Sequence, residues 1–361
     1  MTSSSTLIDT PAALEDLVGR LVAETAFGMD TEFLRERTYR AELCLLQVTV
    51  GAEPRCIDPL ALPALTPLQT LMAGTEPQKI LHSGRQDLEV LWPLTGPIAG
   101  VFDTQIAAAL AGFPAQIGYA ELVKRVLGVE LAKGQTRTDW SRRPLTEAQL
   151  DYALDDVRYL RPLCDHLQEQ LDRLGRLHWL EEDLIRLVEP AGLQPDPSRA
   201  WQRFKGVSQL DEGRQRLIKA LAEWRERRAI QKNRPRGWIL DDAFIKEITE
   251  KVPRDSAALA AIQGLPEGVV KHSGEELCSL VAQAEIDHPA PPLPKRVRPD
   301  PAIVQQVKYL SEKLKQRAAE LELVSEILAT RKELDALAAG RPIDQVLSGW
   351  RLEVLADVLT D

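Results

Sequence analysis

Two proline-rich segments limit what this chain of 361 residues can fold into, because they interrupt any continuous core. Residues 189–199 contain three prolines and a glycine, and residues 286–302 contain six prolines. Proline restricts the backbone and lacks an amide hydrogen, so such stretches are typical of extended connections between domains. At roughly 150 residues per domain, the length is that of two or three domains. We therefore predict linkers at 189–199 and 286–302 and three folded units around them.

The hydrophobic pattern differs between the predicted units, which are 1–188, 200–287 and 300–361. Helical patterns in the first unit alternate with apolar runs that are typical of strands, at 27–33, 42–50, 79–84 and 99–105. This order indicates an α/β domain with a mixed sheet. The other two units show only helical periodicity, which predicts two small all-α domains.

The composition argues against a membrane protein, a secreted protein and a zinc protein. No apolar run reaches the ~18 residues that span a bilayer, and the first residues lack the basic and apolar regions of a secretory signal. The four cysteines form no CxxC pair, unlike those of a disulfide framework or a zinc ribbon; they are Cys44, Cys56, Cys164 and Cys278. We therefore expect a reduced, cytoplasmic protein with no membrane partner.

The net charge of −9 counts on its own against a nucleic-acid partner, because phosphate-binding surfaces are usually basic. The acidic excess is confined to residues 1–190, which contain 18 basic and 28 acidic residues. A basic run lies at 224–238, where six basic residues and one acidic residue stand between Trp224 and Trp238. The run is compatible with contact to an RNA backbone, although a solvated face of an amphipathic helix is the more ordinary explanation.

Two motifs could bring carboxylates to a cation. Asp30 and Glu32 stand at the end of an apolar strand, where residues two apart point to the same face. Neighbouring carboxylates resist joint ionisation unless a cation neutralises them, but a charged strand end facing water is the ordinary alternative. Tyr152 and Asp156 are four apart in a predicted helix and share one face of it. A phenol beside a carboxylate can orient a water, whereas a half-buried tyrosine with a solvated aspartate is the alternative.

Asp87 and Asp103 each follow an apolar strand and precede a helix. For Asp103 we predict a helix cap, since aspartate near a helix N-terminus interacts favourably with the backbone dipole. Capping is also the simpler explanation for Asp87 when it is taken alone. Its distance of five residues from His82 becomes informative only when the three motifs are considered together.

In combination, D-x-E on a strand, H-x4-D after a later strand and Y-x3-D on a helix resemble the exonuclease motifs of the DEDD superfamily. Tyr152 indicates the DEDDy branch, because the other branch has a histidine where Asp151 stands here. The flanking sequences are similar to those of the bacterial ribonuclease D family: DTEFLRERTYRAELCLLQV, LHSGRQDLEVLW, FDTQIAAAL and TDWSRRPLTEAQLDYALDDVRYL. The resemblance covers roughly residues 5–185.

The resemblance implies a ribonuclease H-like fold and a 3′→5′ exoribonuclease that releases 5′-mononucleotides from RNA with a free 3′ end. Precursor tRNA trailers are the specific substrate that it implies, and we expect a monomer. Carboxylates without histidine or cysteine ligands select hard cations, so we expect two Mg²⁺ or Mn²⁺ ions. Tyr152 would hydrogen-bond the attacking water. The predicted metal ligands, which are also catalytic residues, are Asp30, Glu32, Asp87 and Asp156.

Six residues near these motifs are candidate contacts to RNA, namely Phe33, Arg35, Arg37, His82, Trp140 and Arg143. The two arginines of the first motif, with Arg40, could hold phosphates, although ordinary surface arginines fit equally well. Phe33 and His82 could pack on the terminal nucleotide, and core packing is the alternative for Phe33. Trp140 and Arg143 match family positions near the site, without an assigned role.

Residues 201–277 resemble an HRDC domain, a small helical module that can serve RNA or protein binding. We therefore predict an HRDC domain at 200–287 and a more divergent HRDC-like domain at 300–361. Two other functions stay open: a DNA-directed 3′→5′ exonuclease of the same fold and a catalytically silent RNA-binding scaffold. No polymerase or helicase segment supports the former, and the complete set of motif carboxylates disfavours the latter.

Overall fold

The structure, a computed structural model, describes residues 6–131, 138–286 and 300–359. Its internal contacts divide the chain into two units. The first contains Met1–Leu34, Leu43–Gln194 and Pro299–Asp361, and the second contains Arg35–Glu42 and Pro195–Arg298. The first unit is therefore assembled from sequence on both sides of the segment Pro195–Arg298.

A mixed sheet forms the centre of the first unit. Its strands are β1 (Leu7–Ile8), β2 (Ala26–Leu34), β3 (Glu42–Val50), β4 (Glu53–Ile57), β5 (Gln78–Leu81) and β6 (Val101–Asp103). They lie in the order β1-β4-β3-β2-β5-β6. The pairs β1–β4, β2–β5 and β5–β6 are parallel, whereas β3–β4 is antiparallel. Every residue of β3 after Glu42 is buried, as expected for a strand covered on both faces. The predicted α/β domain with a mixed sheet is confirmed.

Helices make up most of the rest of the described chain. They are α1 (Pro11–Val22), α2 (Leu68–Ala73), α3 (Arg85–Thr95), α4 (Thr104–Leu110), α5 (Tyr119–Leu127), α6 (Glu147–Arg158), α7 (Leu160–Arg173), α8 (Leu177–Leu187), α9 (Pro190–Leu193), α10 (Glu212–Lys232), α11 (Arg236–Ile239), α12 (Asp242–Lys251), α13 (Ser256–Ala260), α14 (Glu267–Ile286), α15 (Pro301–Glu320), α16 (Ser325–Leu328), α17 (Arg331–Ala338) and α18 (Trp350–Leu359). None of the described helices is both long and apolar enough to cross a bilayer.

The C-terminal helices α15–α18 share a hydrophobic core with α4–α8 of the first unit. The rings of Trp179 in α8 and Trp350 in α18 are stacked within this core. The guanidinium of Arg176 donates hydrogen bonds to the backbone oxygens of Leu110 and Leu321, at 2.8 and 2.5 Å. The described part of the C-terminal segment thus folds against the α/β domain.

The predicted domain boundaries, with a separate HRDC-like domain at 300–361, stay predictions. The predicted linker 189–199 contains α9 and the start of a 3-10 helix at Pro197–Arg203. Most of the predicted linker 286–302 lies outside the described residues.

The second unit is a helical bundle of α10–α14 with its own core, in which Leu221, Ile245 and Leu277 are fully buried. Its longest helix, α10, begins after Asp211, whose carboxylate accepts a hydrogen bond from the backbone N–H of Arg214. The helix ends at Asn233, which has a left-handed backbone conformation (φ 44°) typical of asparagine at such ends. Local capping therefore defines both ends of the helix.

Residues Arg35–Glu42, which connect β2 to β3, pack within the second unit through Tyr39. The phenol of Tyr39 donates a hydrogen bond to Glu226, and Arg236 donates two to the same carboxylate. The Arg236 guanidinium also lies 4.5 Å from the centre of the Tyr39 ring. Although burial alone would raise it, these hydrogen bonds hold the pKa of Glu226 below its usual value. The connection between β2 and β3 is thus anchored by the ion pair of the buried Glu226 with the half-buried Arg236.

Candidate active site

Asp30 and Glu32 project together from β2, while Phe27 and Met29 are buried on the other face of the strand. Gly28 lies against α6 and α7. A Cβ at Gly28 would lie 3.0 Å from the backbone oxygen of Val157 in α6, which is too close for any other residue without a shift. The missing side chain therefore lets α6 approach β2 next to the two carboxylates.

Helix α6 carries the third motif. It begins with a capping box in which Thr146 and Gln149 satisfy each other's backbone N–H groups. Burial of Val157 and its apolar neighbours fixes the face that the helix turns towards the sheet. Tyr152 and Asp156 are one turn apart on the same face of the helix, and the Asp156 carboxylate is close enough to raise the pKa of the Tyr152 phenol.

Three of the predicted metal ligands come together in the structure. Each of Asp30, Glu32 and Asp156 offers a carboxylate oxygen, and these oxygens all lie within 4.8 Å of one another. All three side chains are partly buried. A group of oxygens without sulfur or imidazole fits a hard divalent cation such as Mg²⁺ or Mn²⁺.

Asp87 lies beside this group, in the first turn of α3. It is only 6% exposed, and it accepts a hydrogen bond of 2.5 Å from the hydroxyl of Thr31. The charge of Asp87 raises the pKa of Asp30, so the two carboxylates interact. By contrast, Asp103 accepts hydrogen bonds from the backbone N–H groups of Gln105 and Ile106, which confirms the predicted helix cap.

The carboxylates of the site hold protons unusually tightly. Burial raises the pKa of Asp30 well above its usual value, and the charges of Asp87, Asp156 and Glu32 raise it further. Burial, followed by repulsion from Asp156 and Asp87, raises the pKa of Glu32 to about 8. Burial also raises the pKa of Asp156 to about 7 and that of Asp87 to about 6. These carboxylates can all be ionised near neutral pH only if a positive charge compensates them. A bound cation would supply that charge.

Burial and the charges of Asp156 and Glu32 raise the pKa of Tyr152. Its phenol therefore stays protonated at physiological pH and acts as a hydrogen-bond donor.

The predicted RNA contacts have different surroundings. His82 uses both ring nitrogens within the first unit, towards Thr104 and the backbone oxygen of Ile117. Phe33 is partly buried in β2, and Arg35 and Arg37 are exposed on the segment that belongs to the second unit. Trp140 is buried, and the guanidinium of Arg143 is hydrogen-bonded inside the first unit. Contact of these six residues with RNA stays a prediction.

Thr31 and Asp58 were not predicted to belong to the site, yet each contacts a residue that was. Thr31 lies within the D-x-E motif and binds Asp87. Asp58 directly follows β4 and binds Arg143. The sequence gives little signal for Asp58, because the strand before it, EPRCI, contains two charged residues and a proline and no helix begins after it. A threonine between two acidic residues gives no signal either.

Comparison with known proteins identifies relatives of both units. A family model for a 3′-5′ exonuclease matches residues 6–172, and one for the HRDC domain matches residues 214–281. Ribonuclease D of Gluconacetobacter diazotrophicus is 39% identical, over 97% of this chain and 91% of that protein. Ribonuclease D of Acidiphilium cryptum is 37% identical over the same shares of the two chains.

Solved structures give the same relationship. The crystal structure of Escherichia coli RNase D, an exoribonuclease involved in structured RNA processing, is 30% identical, with a TM-score of 0.86. The match covers 98% of this chain and 96% of that one. The catalytic core of Trypanosoma brucei RRP6 is 22% identical with a TM-score of 0.56, which shows a shared fold alone. Because relatives of 37–39% identity match it along nearly its whole length, this chain belongs to the ribonuclease D family.

Proposed function

We infer that the chain is a metal-dependent 3′→5′ exoribonuclease that releases 5′-mononucleotides from RNA. One observation carries the inference: Asp30 and Glu32 of β2 and Asp156 of α6 offer oxygens within 4.8 Å of one another. These residues come from distant parts of the sequence and belong to motifs that the ribonuclease D family resemblance had indicated. Membership of that family supports a hydrolytic nuclease with RNA as its substrate.

Asp30, Glu32 and Asp156 would hold divalent cations directly, and Asp87 would do so directly or through water. We propose that two ions bind, as is usual for phosphodiester hydrolysis at such sites. We propose Mg²⁺ or Mn²⁺ because the donors are all oxygens. When bound, such ions activate a water for attack on the phosphodiester and stabilise the charge that develops on the departing 3′-oxygen. The hydrogen bond from Thr31 fixes the orientation of the Asp87 carboxylate.

Tyr152 is proposed to orient the attacking water. Its phenol interacts with the charge of Asp156, which belongs to the carboxylate group, so Tyr152 lies next to the proposed ions. The raised pKa of its phenol makes Tyr152 a hydrogen-bonding partner and not a base. Proton removal from the water would then fall to the ionised carboxylates or to solvent.

The second unit offers a surface suited to RNA. A cavity of about 330 Å³ is lined by apolar residues, by Asp241, and by cationic and aromatic side chains, namely Arg228, Lys232, Arg234, His272, Trp238 and Phe244. Trp238 is 61% exposed, so its ring is available for stacking. Single-stranded RNA is commonly held by such combinations of cations and aromatic rings. We propose that this cavity binds RNA upstream of the 3′ end.

Precursor tRNA trailers are the physiological substrate that we propose, processed by a monomer in the cytoplasm. The name of the Escherichia coli relative, an exoribonuclease involved in structured RNA processing, supports this choice.

Time-resolved digestion of 5′-end-labelled precursor tRNA tests the proposal, with matched single-stranded DNA and with Mg²⁺, Mn²⁺ or a chelator. We expect stepwise shortening from the 3′ end, release of 5′-mononucleotides from RNA, and no reaction with the chelator or in Asp30→Ala. Faster digestion of the DNA would favour the DNA-directed alternative. Binding of RNA without release of mononucleotides under any metal condition would favour the silent scaffold.

A further inference from the structure

The guanidinium of Arg143 uses all five of its N–H groups inside the protein. Nε and one Nη2 hydrogen donate to the carboxylate of Asp58, at 2.6 and 2.7 Å. The other Nη2 hydrogen donates to the backbone oxygen of Cys44 at 2.7 Å. The two Nη1 hydrogens reach the backbone oxygens of Trp140 and Arg142, at 2.8 and 2.9 Å. A guanidinium has five donors, so an RNA phosphate could bind this one only at the expense of an existing bond.

Asp58 is the partner that fixes this arrangement. It follows β4 and is 3% exposed. Burial alone would raise the pKa of Asp58, but hydrogen bonds from Arg143 and from the backbone of Leu60 hold it below its usual value. The bidentate pair, with the bond to Cys44 in β3, therefore attaches the loop that contains Arg143 to two adjacent strands.

Trp140 connects this loop to the active site. It is 5% exposed, and its backbone oxygen is held by Arg143. Its indole lies against the ring of Tyr152, with 6.2 Å between the ring centroids and 31° between the planes. Ala153 and Leu154 of α6 belong to the same hydrophobic cluster as Trp140. The indole thus packs beside the tyrosine ring that lies one turn from Asp156 and interacts with its charge.

We propose that Arg143 and Asp58 are positioning residues, which hold Trp140 against Tyr152 and so direct the Tyr152 hydroxyl within the active site. This inference rests on the proposed function. A tyrosine can turn about two side-chain bonds, and packing against a fixed indole removes that freedom. Misplacement of a catalytic group by about 1 Å can lower a rate by up to about 100-fold, so a distant pair can act on kcat without touching RNA.

The test uses steady-state hydrolysis of a short single-stranded RNA by the full-length protein with Mn²⁺. Arg143→Lys keeps the charge but loses the forked geometry, and Trp140→Phe leaves the Arg143–Asp58 pair intact but shortens the ring that supports Tyr152. Both are made alone and in a Tyr152→Phe background. Arg142→Lys is the matched control, because Arg142 is exposed and pairs only with nearby Asp139 in the described structure.

We expect Arg143→Lys and Trp140→Phe each to lower kcat about tenfold, with KM changed less than about twofold. In the Tyr152→Phe background, each should change kcat by less than about twofold, because the hydroxyl that they position is already absent. Arg142→Lys should behave as the unsubstituted protein. Mn²⁺ affinity, measured by equilibrium dialysis, should be the same in all variants.

Three results would overturn the inference. A rise in KM at constant kcat would assign Arg143 to RNA binding. An equal loss of kcat with and without the Tyr152 hydroxyl would show that Arg143 and Asp58 support the fold in general. A loss of kcat that follows weaker Mn²⁺ binding would show that they support the metal site. If Arg143→Lys does not fold, the Trp140→Phe variant tests the positioning role by the same criteria. An unsubstituted protein that releases no mononucleotides would refute the proposed function, whereas these outcomes in an active enzyme refute the positioning role alone.

Discussion

The indole of Trp350, in the last described helix, stacks on the indole of Trp179 with 4.4 Å between ring centroids and 10° between planes. The backbone N–H of Trp350 donates to Glu182, and Arg351 donates two hydrogen bonds to Asp183 at 2.6 and 3.0 Å. These contacts make the C-terminal helices part of the core that supports the α/β domain. Removing them should therefore affect the nuclease itself.

Trp350→Ala should lower the free energy of unfolding of the first unit by about 3–5 kcal/mol, because it leaves a large cavity beside Trp179. Trp238→Ala is the control, since its exposed ring should contribute within about 0.5 kcal/mol. Urea denaturation followed by circular dichroism measures both. Equal stability of the two variants would show that the stacked pair does not support the core.

Asp30→Asn should lower the rate of RNA hydrolysis by about 1,000-fold or more, because a ligand to the proposed ions is lost. The fold should be retained, since the substitution removes repulsion among the buried carboxylates. Asp151→Asn is the matched control, because Asp151 is an exposed residue of α6. Steady-state rates with Mn²⁺ measure the effect, and a comparable loss in both variants would contradict the assignment.

The stability of the metal-free protein should fall as the pH rises from about 4.5 to about 8. Glu32 has a pKa of about 8 when folded against 4.5 ordinarily, so the folded state binds more protons throughout this window. The free energy of unfolding then decreases with pH, by about 1–3 kcal/mol once partial exposure is allowed for. Urea titrations in chelator at several pH values measure the slope. Glu32→Gln should flatten it, and a rise in stability would contradict the predicted direction.

Tyr152→Phe should lower kcat about 10- to 100-fold while leaving the affinity for Mn²⁺ unchanged, because the phenol orients water and does not bind the ion. Single-turnover hydrolysis and equilibrium dialysis give the two quantities. Tyr309→Phe provides the control, since Tyr309 is an exposed residue of α15. An unchanged rate in Tyr152→Phe would remove the phenol from the mechanism.

Trp238→Ala should weaken the binding of long single-stranded RNA about tenfold, because stacking of a base on an exposed ring is lost. Hydrolysis of an oligomer of a few nucleotides should not change, since Trp238 belongs to the second unit and is not part of the carboxylate group in the first. Filter binding and oligomer kinetics separate the two effects, with Tyr309→Ala as the exposed aromatic control. An equal effect on both substrates would argue against an RNA-guiding cavity.

The sequence was sufficient to predict the elements of the site that local spacing determines. Asp30 and Glu32 share a strand face because strands alternate, and Tyr152 and Asp156 share a helix face because they are one turn apart. The cap at Asp103 follows equally from local chemistry. The prediction that Asp30, Glu32 and Asp156 lie close together rested on the family resemblance. Spacing alone does not indicate which distant segments of a chain meet.

Features that depend on long-range packing were not predictable in this way. In the sequence, nothing around Arg143 distinguishes it from other arginines in loops. Only the fold reveals that its guanidinium donates hydrogen bonds to Asp58, which is 85 positions away. The periodicity of α15–α18 indicates helices without identifying the surface that they cover. Tyr39 likewise lies shortly after β2 in the sequence, but its hydrogen-bond partners Glu226 and Arg236 lie in a distant part of the chain and could not be predicted from spacing.

The shared core of α8 and α18 has a consequence for synthesis on the ribosome. Trp179 emerges from the exit tunnel long before Trp350, with the segment Pro195–Arg298 of the second unit translated in between. The apolar surface around Trp179 therefore stays exposed in the nascent chain, although the segments that carry the carboxylate motifs have already been synthesised. This surface can be buried only after α18 has left the tunnel, and apolar surface that stays exposed during synthesis is prone to aggregation.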